Sequence, residues 1–521
     1  MLEFLLLTSI TERTCGSLAS ALAGVRRGQA MLEQVEAHGL FLQRIDSDRT
    51  WFRYHHLFRD YLRTRLERDR ADEVDGLHRV ASAWFAEDDM LNEAVDHALA
   101  AGEPASAVDL VDLDETNLLE RAGMTTLLGI VAKLPPRLII ARPRIQLVVA
   151  WANALLQRPA ATRTALTRFQ AALQRSDLPP SERADLRAEA DVLRSVGEVF
   201  ADRLDTVDAL TADALSRPDA LPPRVAGAAA NVAMIAETLR FNFGIALRWQ
   251  EFAAPYHDLM GPYVAIYGHC FAGIAAREQL EIPAAAAAFG EAFDLATASL
   301  GPYSHAARLV GALLGELRYE TGELEEAVRL LDESNQLGSA GGGVDFMIAR
   351  YVIGARVKAL LGDRAAAAHR LAAGQQAVAD LVLPRLGARI ANERIRLGID
   401  TELVDTEQIL RPRPIPEDSG IATMIAEIEE DSAVRLLLAG PSNEERQAAY
   451  ARAGGLVGAI DATRRPLAAL RATLLLVRCL AALHRDDEAR TTLAPAAARC
   501  AELGLTRLPA DEGQEMRRLL G

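Results

Sequence analysis

A recurring pattern of small and large residues constrains this chain more than any other feature of its sequence. In one stretch a small residue is followed 12 places later by a small one, 16 places later by a large apolar one and 19 places later by another small one, and the pattern returns 42 residues further on. The residues are Gly273, Ala285, Phe289 and Ala292, then Gly315, Ala327, Leu331 and Ser334. Small residues let two helices cross closely, and the large residue fills the space between that pair and the next. The pattern therefore predicts stacked pairs of antiparallel helices.

The same phase continues on both sides of these two stretches. Triplets in phase begin at Ala165, Val207, Ala246, Ala367 and Ala489. Neighbouring units are 39 to 42 residues apart, and the gap of 122 residues between Ala367 and Ala489 predicts two degenerate units, one of them near Ala448. The units resemble tetratricopeptide repeats. We predict an all-α fold, a tetratricopeptide-like α-solenoid superhelix, in preference to irregular helix packing.

Composition agrees with this fold class. Half of the 521 residues are apolar and only 5% are aromatic, with Ala and Leu in excess, as in helical proteins. A solenoid also explains the length of the chain, because each repeat contacts only its neighbours and no single large core is needed.

The first 70 residues carry the only convincing β signal. Residues 40–45 and 50–54 are two short segments with the residues of β-strands, and they flank the turn residues at 46–49, which predicts a hairpin with a polar tip. Helical patterns precede it and follow it, as in a winged helix. Three domains are expected: 1–70, a small winged-helix remnant with one β-hairpin; 71–145, a helical linker with the first sensor helices; and 146–521, the repeat array.

Several segments resemble the MalT-type transcription activators, which are signalling ATPases with a LuxR-like DNA-binding end. Residues 51–58, Trp-Phe-Arg-Tyr-His-His-Leu-Phe, with Tyr61 and Leu62, are similar to the end of that family's winged helix. Further segments are similar to its first sensor helices, to a Leu-Pro-x-x-Leu turn and to the segment that closes its sensor; they are 77–85, 92–102, 134–138 and 504–520.

This resemblance implies a regulatory function. No Gly-x-x-x-x-Gly-Lys-Ser/Thr loop is present, and the pattern of a LuxR-like helix-turn-helix is lacking. We therefore expect the sensor region of a MalT-like transcription regulator, without its own ATPase and DNA-binding domains. Its groove would bind a small-molecule inducer or a regulatory protein, and an ATPase domain acting in trans is a further expected partner. The alternative is a stand-alone protein-interaction scaffold.

Charge and cysteine content exclude other partners and sites. With a formal charge of −15 and a pI near 5.3, the chain repels nucleic acid and anionic membranes, so neither is expected as a direct partner. The four cysteines lack metal-site spacing and predict buried thiols in a cytoplasmic protein. Neither a cofactor nor a metal is expected. Without a catalytic motif, the chain is predicted not to be an enzyme.

Two groups of residues are candidate binding sites. The resemblance implies that His55 or His56, at the start of a helix, contacts a nucleotide phosphate held by an ATPase domain in trans; the alternative is packing under the wing beside Tyr54 and Phe58. The second group is the densest set of aromatic and imidazole side chains in the array, which could contact an effector or pack in the core. Its members are Tyr256, His257, Tyr263, Tyr267 and His269.

Overall fold

The computed structural model describes residues 1–45, 50–113, 123–259, 261–338, 342–416 and 420–520. The chain divides into two compact units. One consists of residues 1–152 and 163–178, and the other of 153–162 and 179–521. Both are built mainly from helices, which confirms the predicted all-α class.

The first unit begins with helices and three short strands that form an antiparallel sheet in the order β1-β3-β2. Its elements are α1 (Leu2–Thr8), β1 (Thr14–Cys15), α2 (Gly16–Ala23), α3 (Gly28–Ala37), β2 (Leu42–Arg44), β3 (Trp51–Tyr54), α4 (His56–Asp69), α5 (Ala71–Glu87), α6 (Leu91–Ala100), α7 (Pro104–Leu113), α8 (Met124–Lys133) and α9 (Pro136–Ile139). Two further helices, α10 (Pro143–Leu155) and α11 (Pro159–Arg175), lie mostly in this unit, and residues 153–162 belong to the second.

The predicted hairpin is present. Strands β2 and β3 pair with Leu42 opposite Tyr54 and Arg44 opposite Phe52, while the predicted turn at 46–49 lies outside the described residues. Alternation buries Phe52 and Tyr54, and the Tyr54 hydroxyl lies 2.8 Å from the Thr8 hydroxyl on α1. Residues 14 and 15, which lie in the region before the hairpin where only helical patterns were expected, pair with β3. Two residues are too few to show alternation, so this third strand left no pattern in the sequence.

The second unit is an array of antiparallel helix pairs. Its elements are α12 (Pro180–Phe200), α13 (Val207–Ser216), α14 (Pro223–Leu239), α15 (Phe243–Ala253), α16 (Pro262–Glu278), α17 (Ile282–Leu300), α18 (His305–Thr321), α19 (Leu324–Asn335), α20 (Val344–Met347), a π-helical turn (Ile348–Ile353), α21 (Gly354–Leu360), α22 (Arg364–Leu381), α23 (Pro384–Leu397), α24 (Thr406–Leu410), α25 (Gly420–Ala439), α26 (Asn443–Ala459), α27 (Pro466–Ala482), α28 (Asp486–Glu502), α29 (Arg507–Ala510) and α30 (Gln514–Leu520). Short 3₁₀ turns lie at Pro218–Ala220, Ala254–Tyr256 and Thr401–Leu403.

The repeat phase is confirmed by the packing between paired helices. Ala285 and Ala327 are fully buried. A Cβ atom added to Gly273 would lie 2.4 Å from the Phe289 ring, and one added to Gly315 would lie 2.9 Å from Leu331. Each glycine is thus required because the large residue of its own unit occupies the space of a side chain.

A second regularity marks the turn inside six of the pairs. Five residues before the first residue of their triplets, the backbone takes a positive φ of about 56° to 91°. The residues are Asp202, Phe241, Leu280, Gly322, Gly362 and His484. A left-handed residue ends the first helix and turns the chain into the second, but only two of the six are glycine, the residue that this conformation favours.

The two degenerate units also appear. Near Ala448 the residues with the spacing of a triplet are Ala449, Ala453 and Leu456, and all three are buried. The repeat therefore begins one residue later than expected. In the unit before it, the second helix is only α24, five residues long, and α23 packs directly against α25.

Two smaller expectations concern the thiols and the membrane. Cys15, Cys270, Cys479 and Cys500 are buried and free, as predicted. Across the described residues, none of the helices joins sufficient length to sufficient apolar character for a membrane span.

Candidate functional site

A cavity of about 180 Å³ lies in the second unit and is lined by many charged residues. Most of its wall comes from the first helix of successive pairs: α14, α16, α18, the segment from α20 to α21, α23, α25 and α27. Arginines and acidic residues face one another across it. Because charged groups are rarely buried unless they are paired, this wall is the place to look for function.

One end of the wall is organised around Arg277 on α16. Its guanidinium donates to both oxygens of Glu320, at 2.8 and 2.7 Å, and to Glu316 at 2.6 Å. Arg471 on α27 also donates to Glu320, at 2.9 Å. Burial acts to raise the pKa of the Glu320 carboxyl, but the two arginines outweigh it and hold that pKa at about 2. Burial raises the pKa of Glu316, which has fewer cationic contacts.

Arg385 on α23 forms the next cluster. It donates to Asp202 at 2.7 and 2.9 Å and to Asp345 at 2.9 and 2.8 Å, and both Arg385 and Asp202 are at most 5% exposed. On the same helix Glu393, with no exposed side-chain surface, accepts a hydrogen bond from Arg356 at 2.9 Å. Burial would raise the pKa of Glu393, but the Arg356 guanidinium prevails and lowers it.

Glu512, near the C-terminal end, closes the wall. Arg435 on α25 donates to it at 2.9 and 3.0 Å and to Asp431 at 2.7 Å, and Arg396 on α23 is a further ion-pair partner. Burial opposes the charge on Glu512, yet Arg396 and Arg435 keep its pKa far below the usual range.

In four ion pairs of this wall the partners are separated by about one repeat, whereas Arg385–Asp202, Arg471–Glu320 and the pairs of Glu512 join residues farther apart in the sequence. The distance in sequence is 43 residues for Arg277 and Glu320, 40 for Asp345 and Arg385, 38 for Glu427 and Arg465, and 37 for Arg356 and Glu393. Each of the four thus connects the first helix of one repeat to that of the next. This spacing is a signal in the sequence that could have identified the cavity, although none of the predicted sites made use of it.

Of the sites expected from sequence, His55 and His56 are both exposed. Their rings stack with centroids 4.4 Å apart at the start of α4. The exposed apolar side chains Phe41, Leu57 and Tyr61 lie on the same hairpin and helix. The alternative of a histidine packed under the wing does not match this placement, and contact with a nucleotide phosphate stays a prediction.

The second group of expected residues is divided by the fold. Tyr263 and Tyr267 are buried, and Tyr267 packs against Phe200 and Phe346 with ring centroids 5.4 and 6.0 Å away. His257 and His269 come together, with ring centroids 5.0 Å apart.

His269 also faces Glu291, at 3.2 Å, and burial, helped by His269, lowers the pKa of His257. Tyr256 is half-buried on the neighbouring 3₁₀ turn. Effector binding at these five residues stays a prediction.

One tripeptide has the letters of a kinase catalytic loop. His484, Arg485 and Asp486 spell His-Arg-Asp, but Thr491 stands where that loop has its metal-binding Asn. In the structure His484 is the left-handed turn residue of a repeat, and Arg485 donates to Glu488 at 2.7 Å. These residues therefore form the turn before α28 and not a catalytic loop.

Comparison with known proteins assigns the first unit's winged helix to a class. The MalT winged helix domain family matches residues 1–74. The chain is also 32% identical to the HTH-type transcriptional regulator MalT of Yersinia enterocolitica over 212 residues, 41% of this chain and 23% of that protein. The resemblance seen in the sequence is confirmed: a MalT-type winged helix is followed by tetratricopeptide-like helices.

A more similar relative is named as a kinase. The serine/threonine-protein kinase PknK of Mycobacterium tuberculosis is 58% identical over 511 residues, which are 98% of this chain and 46% of PknK. The chain thus spans about half the length of this curated relative. A signal transduction ATPase with a tetratricopeptide repeat sensor from Pyrococcus horikoshii covers 98% of this chain and 65% of its own at 12% identity, but with a TM-score of 0.28 it supports no inference.

These relatives overturn two expectations. The prediction of a sensor region from a MalT-like transcription regulator, with a stand-alone scaffold as the alternative, is wrong, and so is the prediction that the chain is not an enzyme. Both rested on segments that resemble MalT-type proteins and on the motifs within these 521 residues. The winged helix and the repeats define an architecture, and an architecture does not fix an activity.

Proposed function

We propose that this chain acts in the phosphorylation of serine and threonine in proteins, as the winged-helix and helical-repeat portion of a protein kinase similar to PknK. The observation that carries the proposal is the 58% identity over 98% of the chain, which includes both compact units. Since the chain corresponds to 46% of PknK, the activity belongs to the whole polypeptide, and we propose that this portion supports it.

The cavity of the second unit suggests how the portion contributes. Its buried ion pairs connect successive first helices and fix their spacing, so the inner surface is a preorganised one. We propose that this surface takes up a small molecule or a protein that the kinase works with. We also propose that the protein acts in the cytoplasm and does not bind nucleic acid or membranes directly. Its net charge of −15, which repels both, supports this.

The test uses the natural polypeptide that contains this sequence. We expect it to transfer labelled phosphate from ATP to serine and threonine of a general acceptor such as myelin basic protein, identified by phosphoamino acid analysis. Arg385→Ala, which removes the partner of two carboxylates in the second unit, should reduce the transfer. The exposed Arg499→Ala should leave it unchanged. Absence of any serine or threonine label in the unaltered polypeptide would refute the proposal.

A further inference from the structure

Two charged groups on the wall of the cavity differ from all the others. Among the described residues that line it, every arginine except Arg389 forms an ion pair with a carboxylate. In the same set, every acidic residue except Glu278 forms an ion pair with an arginine. One cation and one anion are therefore left without a direct partner.

Arg389 lies on α23, one turn after Arg385, and is half-buried. Burial and, after it, the neighbouring Arg471 lower the pKa of its guanidinium to about 10, while Asp431 and Glu278 offset only part of this. A cation in such a position is poorly compensated, since water is partly excluded and a neighbouring charge has the same sign. An anionic group that entered the cavity would supply the missing partner.

Glu278 is the last residue of α16 and is also half-buried. It is close enough to Arg389 to raise the pKa of that guanidinium, but the two groups are farther apart than the roughly 4 Å of a direct ion pair. They lie on different helices of different repeats, which the surrounding ion pairs hold in place. Both side chains line the same cavity, which is where a ligand that carries both charges would contact them.

We propose that the cavity binds a small zwitterion of the α-amino-acid class, with its carboxylate on Arg389 and its ammonium group on Glu278. The planar guanidinium fork matches a carboxylate, and a carboxylate matches an ammonium group. A ligand with only an anionic group would leave Glu278 unpaired. Because the other charged groups of the wall already have partners, the side chain of the ligand is uncharged, and Ile274, Ile348 and Val352 offer it apolar surface.

The size of the cavity agrees with such a ligand. Its volume of about 180 Å³ is below the roughly 300 Å³ of the smallest drug-sized pockets. This favours a free amino acid over a nucleotide or a folded peptide. The inference goes beyond the kinase proposal and does not depend on it, because binding is measured directly and without phosphorylation.

The experiment compares three probes of similar shape by isothermal titration calorimetry on the full chain: L-leucine, 4-methylpentanoate, which lacks the ammonium group, and 3-methylbutylamine, which lacks the carboxylate. L-Valine and L-methionine are titrated as further amino acids beside L-leucine. We expect saturable binding of at least one of these amino acids and at least tenfold weaker binding of both single-charge probes. The proposal would be overturned if 4-methylpentanoate bound as tightly as the amino acids, or if none of the amino acids bound.

Two variants locate the site. Arg389→Gln and Glu278→Gln should each weaken amino-acid binding at least tenfold, whereas the exposed Arg499→Gln should leave it unchanged. Since neither Arg389 nor Glu278 forms an ion pair with a described residue, both variants should keep the melting temperature of the unaltered chain. Undiminished binding in both would show that the ligand lies elsewhere. Should a variant fail to fold, the comparison of probes on the unaltered chain still decides the question.

Discussion

The two units of this protein place their charged groups in opposite ways. In the first unit the core is apolar, and ion pairs such as Arg13–Glu93 and Arg79–Glu103 are each about one third exposed or more. In the second, pairs such as Arg224–Glu189 and Arg385–Asp202 are almost completely buried. Exposed pairs add little to stability, whereas a buried charge that loses its partner is costly. The stability of the first unit therefore depends on apolar packing, and that of the second on apolar packing and on the pairing of its buried charges.

The largest effect is expected from Glu393→Gln. It removes the nearer of the two carboxylates that pair with the Arg356 guanidinium and leaves only Asp511, 3.6 Å away. Breaking a buried pair costs about 3 to 5 kcal/mol, and the remaining pair places the expected loss near the lower value. Urea denaturation followed by circular dichroism measures the loss. The control is Glu323→Gln, which removes an exposed pair with Arg318 and should cost less than about 1 kcal/mol. Equal losses in the two variants would contradict the contrast between buried and exposed pairs.

The second-largest effect is expected in mild acid, which should destabilise the first unit more than the second. In the first unit His97 stacks on Phe85 and its Nδ1 lies 2.7 Å from that of His78. Burial, with His78 adding to it, lowers the pKa of His97 to about 4. The unfolded chain, with a pKa near 6.5, then binds the proton first, so the first unit loses stability as the pH falls from about 6.5 to about 4. The loss is roughly 2 to 3 kcal/mol, reduced by the partial exposure of the ring.

In the second unit the pKa values of Glu393 and Asp431 are lowered by their arginines, although burial opposes this. Their contribution is present above the unfolded pKa near 4 and is lost only as the pH falls below it. Glu316, whose pKa burial raises, acts in the opposite sense. The second unit also has a histidine with a lowered pKa, His257, whereas the first has two, His78 and His97. Hydrogen exchange at pH 7, 5.5 and 4.5 should therefore show the first unit losing more protection than the second, and His97→Gln should reduce this difference.

The repeat phase allows a test by overpacking. Ala285→Trp places a large ring in a crossing where the alanine has no exposed surface, and should cost about 1 to 3 kcal/mol or more. Ala284→Trp, one residue earlier and exposed, should change stability by less than about 0.5 kcal/mol. Thermal melting of both variants is sufficient, and similar melting temperatures would show that the helices do not cross at this residue.

The smallest expected effect is a gain. His484 has φ near 57°, a conformation that costs a side-chain-bearing residue roughly 1 kcal/mol. His484→Gly should raise the free energy of unfolding by up to about 1 kcal/mol, whereas His484→Ala should bring no gain because alanine is strained there as well. Chemical denaturation measures the free energy of unfolding of both variants. An equal gain in the two would rule out backbone strain as the cause.

Sequence alone predicted the fold where the signal was local or periodic. The hairpin was predicted from two short strand-like segments around a polar turn, and the repeats from the spacing of small and large residues, so Phe52, Ala285 and Phe289 were placed correctly. The cavity was not found, because an ion pair such as Arg356 with Glu393 joins residues 37 apart and neither one is unusual in its own helix. Tyr267 shows the converse: an aromatic residue in a dense cluster looked like a contact for a ligand, but a neighbouring repeat covers it.

The activity was beyond any pattern in these residues. The chain is similar to MalT over 212 residues and to PknK over 511, so its winged helix and repeats alone could not separate a transcription regulator from a kinase.

The single-turn helix α24 makes the outer layer of the second unit discontinuous. In the described part of the array, a second helix of at least ten residues follows each of the other first helices, whereas α23 is followed only by the five-residue α24. The segment after α24 carries three prolines, Pro412, Pro414 and Pro416. A protease should cut the folded chain there before it cuts any other repeat. Inserted sequence would also be tolerated best at this loop, which makes it the natural position for a reporter tag that leaves the array intact.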